Sequence, residues 1–431
     1  MNSRILCLVL LLLLACQSIW GQRYSKRKIR KDLQELPGFE NAYIGFTLVD
    51  PERSKPIFEQ NAHKHMTPAS TTKLFTVFGA MQHLPDTLPA LEYIIKGDSL
   101  IFWSTGYPLT LHPDHPDSTV IQFLKASDKR LYYWVRPTKD SRFGPGWGWD
   151  DYPYYYGAEK SVFPLYGNSV RFILNNQNKT YSLQPYHQGF RVTTDSLNAR
   201  RNRVVRDEWW NEFTIDFSDS DEPDTLLRSF HYNHALFTDL LAKEVGQPIE
   251  RIALNKRPQY YQTLPGVPAD SLYKWTLQPS DNLFAEQLLL MISGQMSDTL
   301  NTEKGIEAAV NSWKQQTNNP EDLVWVDGSG LSRYNMFKPS EFIALLSLFR
   351  EQRILPLMAQ GGTSGTLQSR YGPYVYAKTG TLRHNHCLAG YIRTDKGKLL
   401  YFALMVNHFT APTGTIRSSM GTMLEKIKSG Y

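Results

Sequence analysis

Three things are scarce in this 431-residue chain. Cysteine is the first: Cys7 and Cys16 fall near the N-terminus, and Cys387 alone remains in the body of the sequence. A lone cysteine excludes an intrachain disulfide framework. It lies in an apolar alternating stretch, Cys387-Leu388-Ala389-Gly390-Tyr391-Ile392, where a buried, inert thiol is expected rather than a nucleophile. Long apolar runs are the second. The run Ile5 to Ala15 behind Arg4 has the form of an export leader and is too short to span a bilayer; no other run is long enough to do so. Residues 1–21 are therefore expected to be a signal peptide, cleaved after Gly21. The stretch Leu13-Leu14-Ala15-Cys16 also resembles a lipoprotein box, which would place a lipid anchor, and with it membrane association, at Cys16. The third scarcity is charge imbalance. A formal net charge of +6 is mild for this length, and nothing in it suggests a nucleic-acid partner. One short basic run (Arg23, Lys26, Arg27, Lys28, Arg30, Lys31) is expected to be a solvated segment rather than an anion- or membrane-binding arm. No internal repeat and no low-complexity segment is present.

The length points to two or three domains of a soluble globular protein. Alternation and β-forming residues predict strands over Tyr43 to Asp50 and Pro56 to Gln60. A helix is expected next, with Thr67 as N-cap, Pro68 at its first position and an apolar stripe through Leu74, Val77, Phe78 and Met81. From about Pro85 to about Asp270 the texture changes to crowded aromatic, Pro and Gly residues between short strand-like runs, which reads as a mostly-β insertion of one or two subdomains. Helical patterning returns at Leu283 to Ile292, Thr302 to Lys314 and Pro339 to Phe349. Three strands follow at Tyr374 to Thr381, Cys387 to Thr394 and Lys398 to Asn407, and a last helix runs from Thr413 to Lys428. The expected organisation is a discontinuous domain, 22–84 and 271–431, interrupted by an inserted region, 85–270. An antiparallel sheet built from both chain ends, with helices packed on it, satisfies this order.

The chemistry resides in three short motifs, each common by chance. Ser-x-x-Lys occurs at Ser25, Ser70 and Ser271; Ser-x-Asn at Ser196 and Ser280; Lys-[Ser/Thr]-Gly at Lys378 and Lys428. Context selects one of each. Ser70 and Lys73 open an apolar-striped helix and share one face of it, whereas Ser25 lies in the basic run and Ser271 lacks a comparable start signal. Backbone N–H groups at a helix start favour negative charge developing at Ser70. Cationic surroundings are expected to lower the pKa of Lys73, so that its neutral amine can take the Ser70 proton. Taken alone, a serine in such a place is ordinarily a cap. Ser280-Asp281-Asn282 precedes a helix, and an i, i+2 pair in a turn can aim Ser280 and Asn282 into one cleft; a plain helix cap is again the bland reading. Lys378-Thr379-Gly380 lies on a strand, with Lys378 and Gly380 on one face and Thr379 on the other. Gly380 leaves room for a ligand backbone, and Lys378 suits a carboxylate. Lys428-Ser429-Gly430 ends the chain.

The set Ser-x-x-Lys, Ser-x-Asn and Lys-Thr-Gly, in this order, is that of penicillin-binding proteins and serine β-lactamases. Over nearly all of its mature length the chain resembles the type-4 low-molecular-mass penicillin-binding proteins, which are D-alanyl-D-alanine carboxypeptidases and endopeptidases. The resemblance is carried by Pro68-Ala69-Ser70-Thr71-Thr72-Lys73-Leu74, Ser280-Asp281-Asn282-Leu283-Phe284-Ala285-Glu286 and Asp327-Gly328-Ser329-Gly330-Leu331-Ser332-Arg333. It continues in Gly365-Thr366-Leu367 leading to Lys378-Thr379-Gly380-Thr381-Leu382. The long interval between Lys73 and Ser280 and the stretch Trp147-Gly148-Trp149-Asp150-Asp151 with Tyr156-Gly157-Ala158 are similar to that family's insertion. Gly106-Tyr107-Pro108 departs from the Gly-Asp-Pro of relatives.

The resemblance implies an α+β fold: a β-lactamase/transpeptidase-like antiparallel sheet with helices on both faces and a large inserted region. It implies a serine-type DD-peptidase acting on the terminal D-Ala-D-Ala of peptidoglycan stem peptides, exported to the periplasm. In that reading Ser70 is the nucleophile, Lys73 the general base and Ser280 a proton relay, while Asn282 orients the acyl chain. Lys378 and Thr379 bind the terminal carboxylate. The N–H groups of Ser70 and Thr381 form the oxyanion hole. β-Lactams would acylate Ser70, and no metal or organic cofactor is called for. The competing readings are a serine β-lactamase or esterase on the same fold and a non-catalytic wall-binding protein. His112, His115, His384 and His386 sit near Pro or in a charged turn and are not expected to form a metal site. The Tyr and Trp runs are expected to pack within the insertion rather than contact glycan.

Overall fold

The computed structural model describes residues 24–199, 203–219, 222–321 and 323–431. The expected leader, with Cys16 and the cleavage point at Gly21, lies outside the described residues. Outside the inserted region the chain runs α1 (Lys26–Glu35), β1 (Tyr43–Val49), β2 (Phe58–Gln60) and α2 (Lys73–His83). After the insertion come α3 (Ala269–Leu277), α4 (Asn282–Met296), α5 (Thr302–Thr317), α6 (Pro339–Leu348), β3 (Ala359–Gln360), β4 (Val375–Leu382), β5 (Asn385–Arg393), β6 (Leu399–Asn407) and α7 (Thr413–Gly430). Two compact units result. Among the described residues, one comprises 24–68 with Phe337–Tyr431, the other Ala69–Met336.

The first unit is built on an antiparallel sheet of order β3-β4-β5-β6-β1-β2. Its centre joins the two chain ends, with Tyr43 opposite Asn407 and Val49 opposite Tyr401. Strand alternation puts Ile44, Phe46 and Leu48 on the same face as Leu388, Leu404 and Val406, where they meet Ile416, Met420, Leu424 and Ile427 of α7. Each such side chain contributes about 1.5–3 kcal/mol on full burial. The opposite face receives α6: a Cβ on Gly45 would lie 2.7 Å from Pro339 Cγ, and Tyr391 Oη donates to Leu346 O at 2.8 Å. Helices thus cover both faces, as the α+β reading requires. The basic run is a finding of its own. Its charged side chains from Lys26 to Lys31 are solvent-exposed as expected, but they ride on a helix whose Ile29 and Leu33 are buried in the core. Ser25 caps that helix, accepting from Lys28 N. The i, i+4 pair was hidden among six cations.

The second unit combines helices α2, α4 and α5, packed on one another, with the inserted region. A five-stranded sheet is formed by residues 249–252, 130–134, 99–104, 87–96 and 262–268, in that order, and two three-stranded sheets come from residues 169–229. Helices Thr119–Lys125 and His234–Val245 complete a mostly-β insertion. Arg136, 1% exposed, fastens it to α4: its guanidinium donates to the carbonyls of Gly294 at 2.7 Å and Ser297 at 2.6 Å, at the C-terminal end where α4 favours a cation. Tyr107, the departure from Gly-Asp-Pro, is buried, donates to Asp117 Oδ2 and accepts from Val267 N.

Candidate active site

Ser70 does not sit on a capped α-helix. Residues Ala69–Thr72 form a 3-10 turn, α2 begins only at Lys73, and neither Thr67 nor Thr72 caps it; Thr72 Oγ1 donates instead to Ala69 O at 2.8 Å. The reason is the backbone at Ala69, whose φ of +49° is left-handed and incompatible with a helix entered through Pro68. That turn is pressed against the loop Asp327 to Ser332. A Cβ on Gly330, itself at φ +77°, would stand 1.9 Å from Ala69 O, so only glycine fits.

The i, i+3 spacing nonetheless brings the expected pair together. Lys73 Nζ lies 3.0 Å from Ser70 Oγ, 2.6 Å from Asn282 Oδ1 and 2.6 Å from Ser329 O. Asn282 Nδ2 donates to Tyr156 O at 2.8 Å, which leaves its Oδ1 as the end that meets the amine. Two of the three contacts are therefore acceptor-only. A neutral Lys73 can donate to both and keep its lone pair for the Ser70 hydroxyl.

The electrostatics correct the sequence-based expectation. The surroundings of Lys73 are acidic rather than cationic: Asp327, Asp281 and Glu286 all favour its charged form. Burial outweighs them. The ammonium is fully enclosed, which pulls its pKa down to about 8. At pH 7 about one molecule in ten then carries the free base.

Two carboxylates hold the loop that supplies Ser329 O. Glu286 accepts from Ser329 N at 2.8 Å and Gly328 N at 3.2 Å; burial, reinforced by Asp327, pushes its pKa up. Asp327 accepts from Gly330 N, Ser332 N, Asn335 Nδ2 and Trp147 Nε1 at 2.6–2.9 Å. Sequence reasoning quoted both acids within motifs but assigned them no task. The available signal was a lone carboxylate, Glu286, inside the apolar run of α4. Trp147 was expected merely to pack; its indole N–H reaches Asp327. Trp147 also packs against Phe143, and Trp149, though largely exposed, has its ring 6.5 Å from that of Tyr152.

The helix-cap reading of the second motif falls to its middle residue. Asp281 caps α4, accepting from Phe284 N at 2.9 Å, and burial raises its pKa. Ser280 stands just before it with φ +69°, a strained conformation for a side chain with a Cβ and one that clusters at functional sites.

Lys378, Thr379, Gly380 and Thr381 belong to the other unit, on β4. Lys378 is buried, its Nζ donating to Thr379 O at 2.9 Å. Thr379 Oγ1 donates to Thr366 Oγ1 at 2.8 Å, which gives the Gly365-Thr366-Leu367 stretch a local role. Thr381 is exposed, with its hydroxyl 2.8 Å from His386 Nδ1. Cys387 is buried next to this strand, its thiol pKa pushed up to about 12 by burial, and it is inert. The other histidines are held locally. His112 Nδ1 accepts from Asp114 N and His115 N, and His384 Nδ1 lies 2.9 Å from Phe409 O.

Comparison with known proteins gives four results. The family model "D-Ala-D-Ala carboxypeptidase 3 (S13) family" matches residues 25–88 and 137–427, leaving out the stretch with Gly106-Tyr107-Pro108. D-alanyl-D-alanine carboxypeptidase DacB of Haemophilus influenzae is 23% identical over 433 residues, which cover 89% of this chain and 88% of that protein. The crystal structure of penicillin-binding protein 4 (dacB) from Haemophilus influenzae is similar with a TM-score of 0.76 at 20% identity, over 93% of this chain and 99% of that one. A second crystal structure of that protein, in complex with a β-lactam, gives a TM-score of 0.69 at 18% identity, over 93% and 99% of the two chains.

Proposed function

The chain belongs to the D-Ala-D-Ala carboxypeptidase 3 (S13) family, and from that premise we propose how its own residues carry out serine-type D-Ala-D-Ala carboxypeptidase chemistry. Ser70 Oγ attacks the carbonyl carbon of the penultimate D-alanine of a peptidoglycan stem peptide, and its proton passes to the neutral amine of Lys73. The backbone N–H groups of Ser70 and Thr381 receive the negative charge on the carbonyl oxygen. As the peptide bond breaks, the departing amine of the terminal D-alanine takes the Ser280 hydroxyl proton, and Ser280 recovers one from the protonated Lys73. Lys378 and Thr379 take that residue's carboxylate, and Asn282 keeps Lys73 aimed at Ser70. Water then attacks the Ser70 ester, the neutral amine of Lys73 takes one of its protons and returns it to Ser70 Oγ, and the shortened peptide is released as a free acid. A β-lactam enters by the same attack and leaves an acyl group on Ser70.

The observation that supports this most strongly is the buried Lys73 amine with Ser70 Oγ, Asn282 Oδ1 and Ser329 O around it. It is a base of lowered pKa within proton-transfer distance of a hydroxyl. Export to the periplasm through the leader at 1–21 belongs to the same proposal, with cleavage after Gly21 favoured over a lipid anchor at Cys16. Intact-mass analysis of the exported protein with and without penicillin tests both parts. The expected result is a protein beginning at Gln22 that gains one penicillin in the wild type and none in Ser70→Ala, together with D-alanine release from a pentapeptide stem. No adduct and no release would overturn the assignment of Ser70.

A further inference from the structure

The imidazole beside the Lys-Thr-Gly strand has no part in the chemistry above, yet it is fully buried in the unit that carries that strand. His386 stands directly across the strand pair from Thr381, is 0% exposed, and places Nδ1 2.8 Å from Thr381 Oγ1. A hydrogen bond between a hydroxyl and a neutral imidazole can run either way, so the tautomer decides which partner donates. The environment supplies the decision. Burial, with Arg417 and Arg370 adding positive charge, pulls the His386 pKa down to about 3, so the ring is neutral and carries one proton. Among the described residues its Nε2 is buried without a hydrogen-bond partner, and so is Nε of Arg417. A guanidinium offers only donors. In the field of two guanidinium groups the nitrogen not engaged by Thr381 is better as a lone pair than as an N–H. The proton then resides on Nδ1.

We infer that His386 is a positioning residue: its Nδ1–H donates to Thr381 Oγ1 and so commits the Thr381 hydroxyl to donating outward, to the carboxylate of the substrate or of a β-lactam. With its oxygen accepting from the imidazole, the hydroxyl proton cannot turn back toward the ring. Thr381 is exposed, and apart from the ring its hydroxyl proton has no acceptor among the described residues. An outward donor on the residue after Lys378-Thr379-Gly380 suits an anion. If the ring held the other tautomer, the hydroxyl would spend its proton on Nδ1 and present only lone pairs to a carboxylate. This inference deepens the proposed function and rests on it, because it takes Thr381 to face the substrate.

The test is a double-mutant cycle read as acylation by a reporter penicillin, with Thr381→Val removing the hydroxyl. His386→Leu is expected to lower acylation efficiency about tenfold, as loss of one well-directed donor does. The loss is expected in the affinity of the pre-covalent complex, with the limiting acylation rate nearly unchanged. His386→Asn keeps an N–H where Nδ1 stands and is expected to restore most of the efficiency. In a Thr381→Val background, His386→Leu is expected to change nothing further, whereas a purely structural role would give additive losses and would overturn the inference. If His386→Leu does not fold, His386→Asn and the tautomer decide. Nitrogen NMR of the wild type is expected to show Nδ1 protonated, and a protonated Nε2 overturns the inference without any variant. Acylation of the wild type is the control: its failure would defeat the proposed function, while additivity in an acylating protein defeats only the role of His386.

Discussion

Lys73 loses its proton more readily than an exposed lysine because burial penalises its charge more than three nearby carboxylates stabilise it. The sign of the pH dependence follows. Only the neutral amine accepts the Ser70 proton, so acylation should rise as pH climbs and level off above an apparent pKa near 8. Stopped-flow acylation by a chromogenic β-lactam between pH 6 and pH 10, a range chosen to bracket that value by about two units on each side, measures it; a flat profile would contradict a lysine base. Asn282 is the next residue to probe. Replacing it by Leu removes the acceptor for one Lys73 N–H and the donor to Tyr156 O. Acylation should fall on the order of a hundredfold while circular dichroism stays unchanged. The pairing of Ser70 with Lys73 was legible in the sequence, because an i, i+3 spacing keeps two side chains on one side whether the turn is α or 3-10. The source of the lysine's low pKa was not legible. Asp281, Glu286 and Asp327 come together only when α4 and the loop after Val326 close on α2.

Among the elements, the loop from Asp327 to Ser332 does the most to shape the site. It lends Ser329 O to Lys73 and makes room at Gly330 for the turn that carries Ser70. Gly330→Ala meets both a backbone oxygen at 1.9 Å and a left-handed φ. The expected loss is about 1–3 kcal/mol of stability, with a larger proportional loss of penicillin labelling, since the displaced atom is the carbonyl of the residue before Ser70. A thermal melt run alongside labelling checks it, and wild-type values in both would refute the packing described. Element types and approximate bounds were readable where a single period dominates, as in β5, β6, α5 and α7. They failed where the chain breaks its own pattern. The left-handed residue Ala69 delays α2 beyond the Thr67-Pro68 start signal, and the charge of α1 masks the two apolar residues that dock it.

Over the whole molecule, the insertion contributes directly to the surroundings of Ser70 and Lys73. It provides Tyr156 O to Asn282 and Trp147 Nε1 to Asp327, and Arg136 anchors it at the far end of α4. Trp147→Phe keeps the ring and removes the N–H. One hydrogen bond to a carboxylate is worth about 1.5–3 kcal/mol, so a drop in acylation of roughly tenfold or more is expected in a folded protein. Steady-state β-lactam acylation with a parallel melt measures both, and unchanged acylation would separate the insertion from the catalytic loop. The sequence by itself determined that the chain is an α+β serine-type D-Ala-D-Ala carboxypeptidase, and it singled out Ser70 and Lys73 as the pair proposed to do the chemistry. Motif order, strand and helix periods and the long interval before Ser280 are properties of the covalent chain and survive in one dimension. The tertiary structure alone decided what surrounds that pair: the burial of Lys73, the three acids around it and the Trp147 donor from the insertion. Desolvation and hydrogen bonding depend on which distant segments exclude water together, and no spacing along the chain records that.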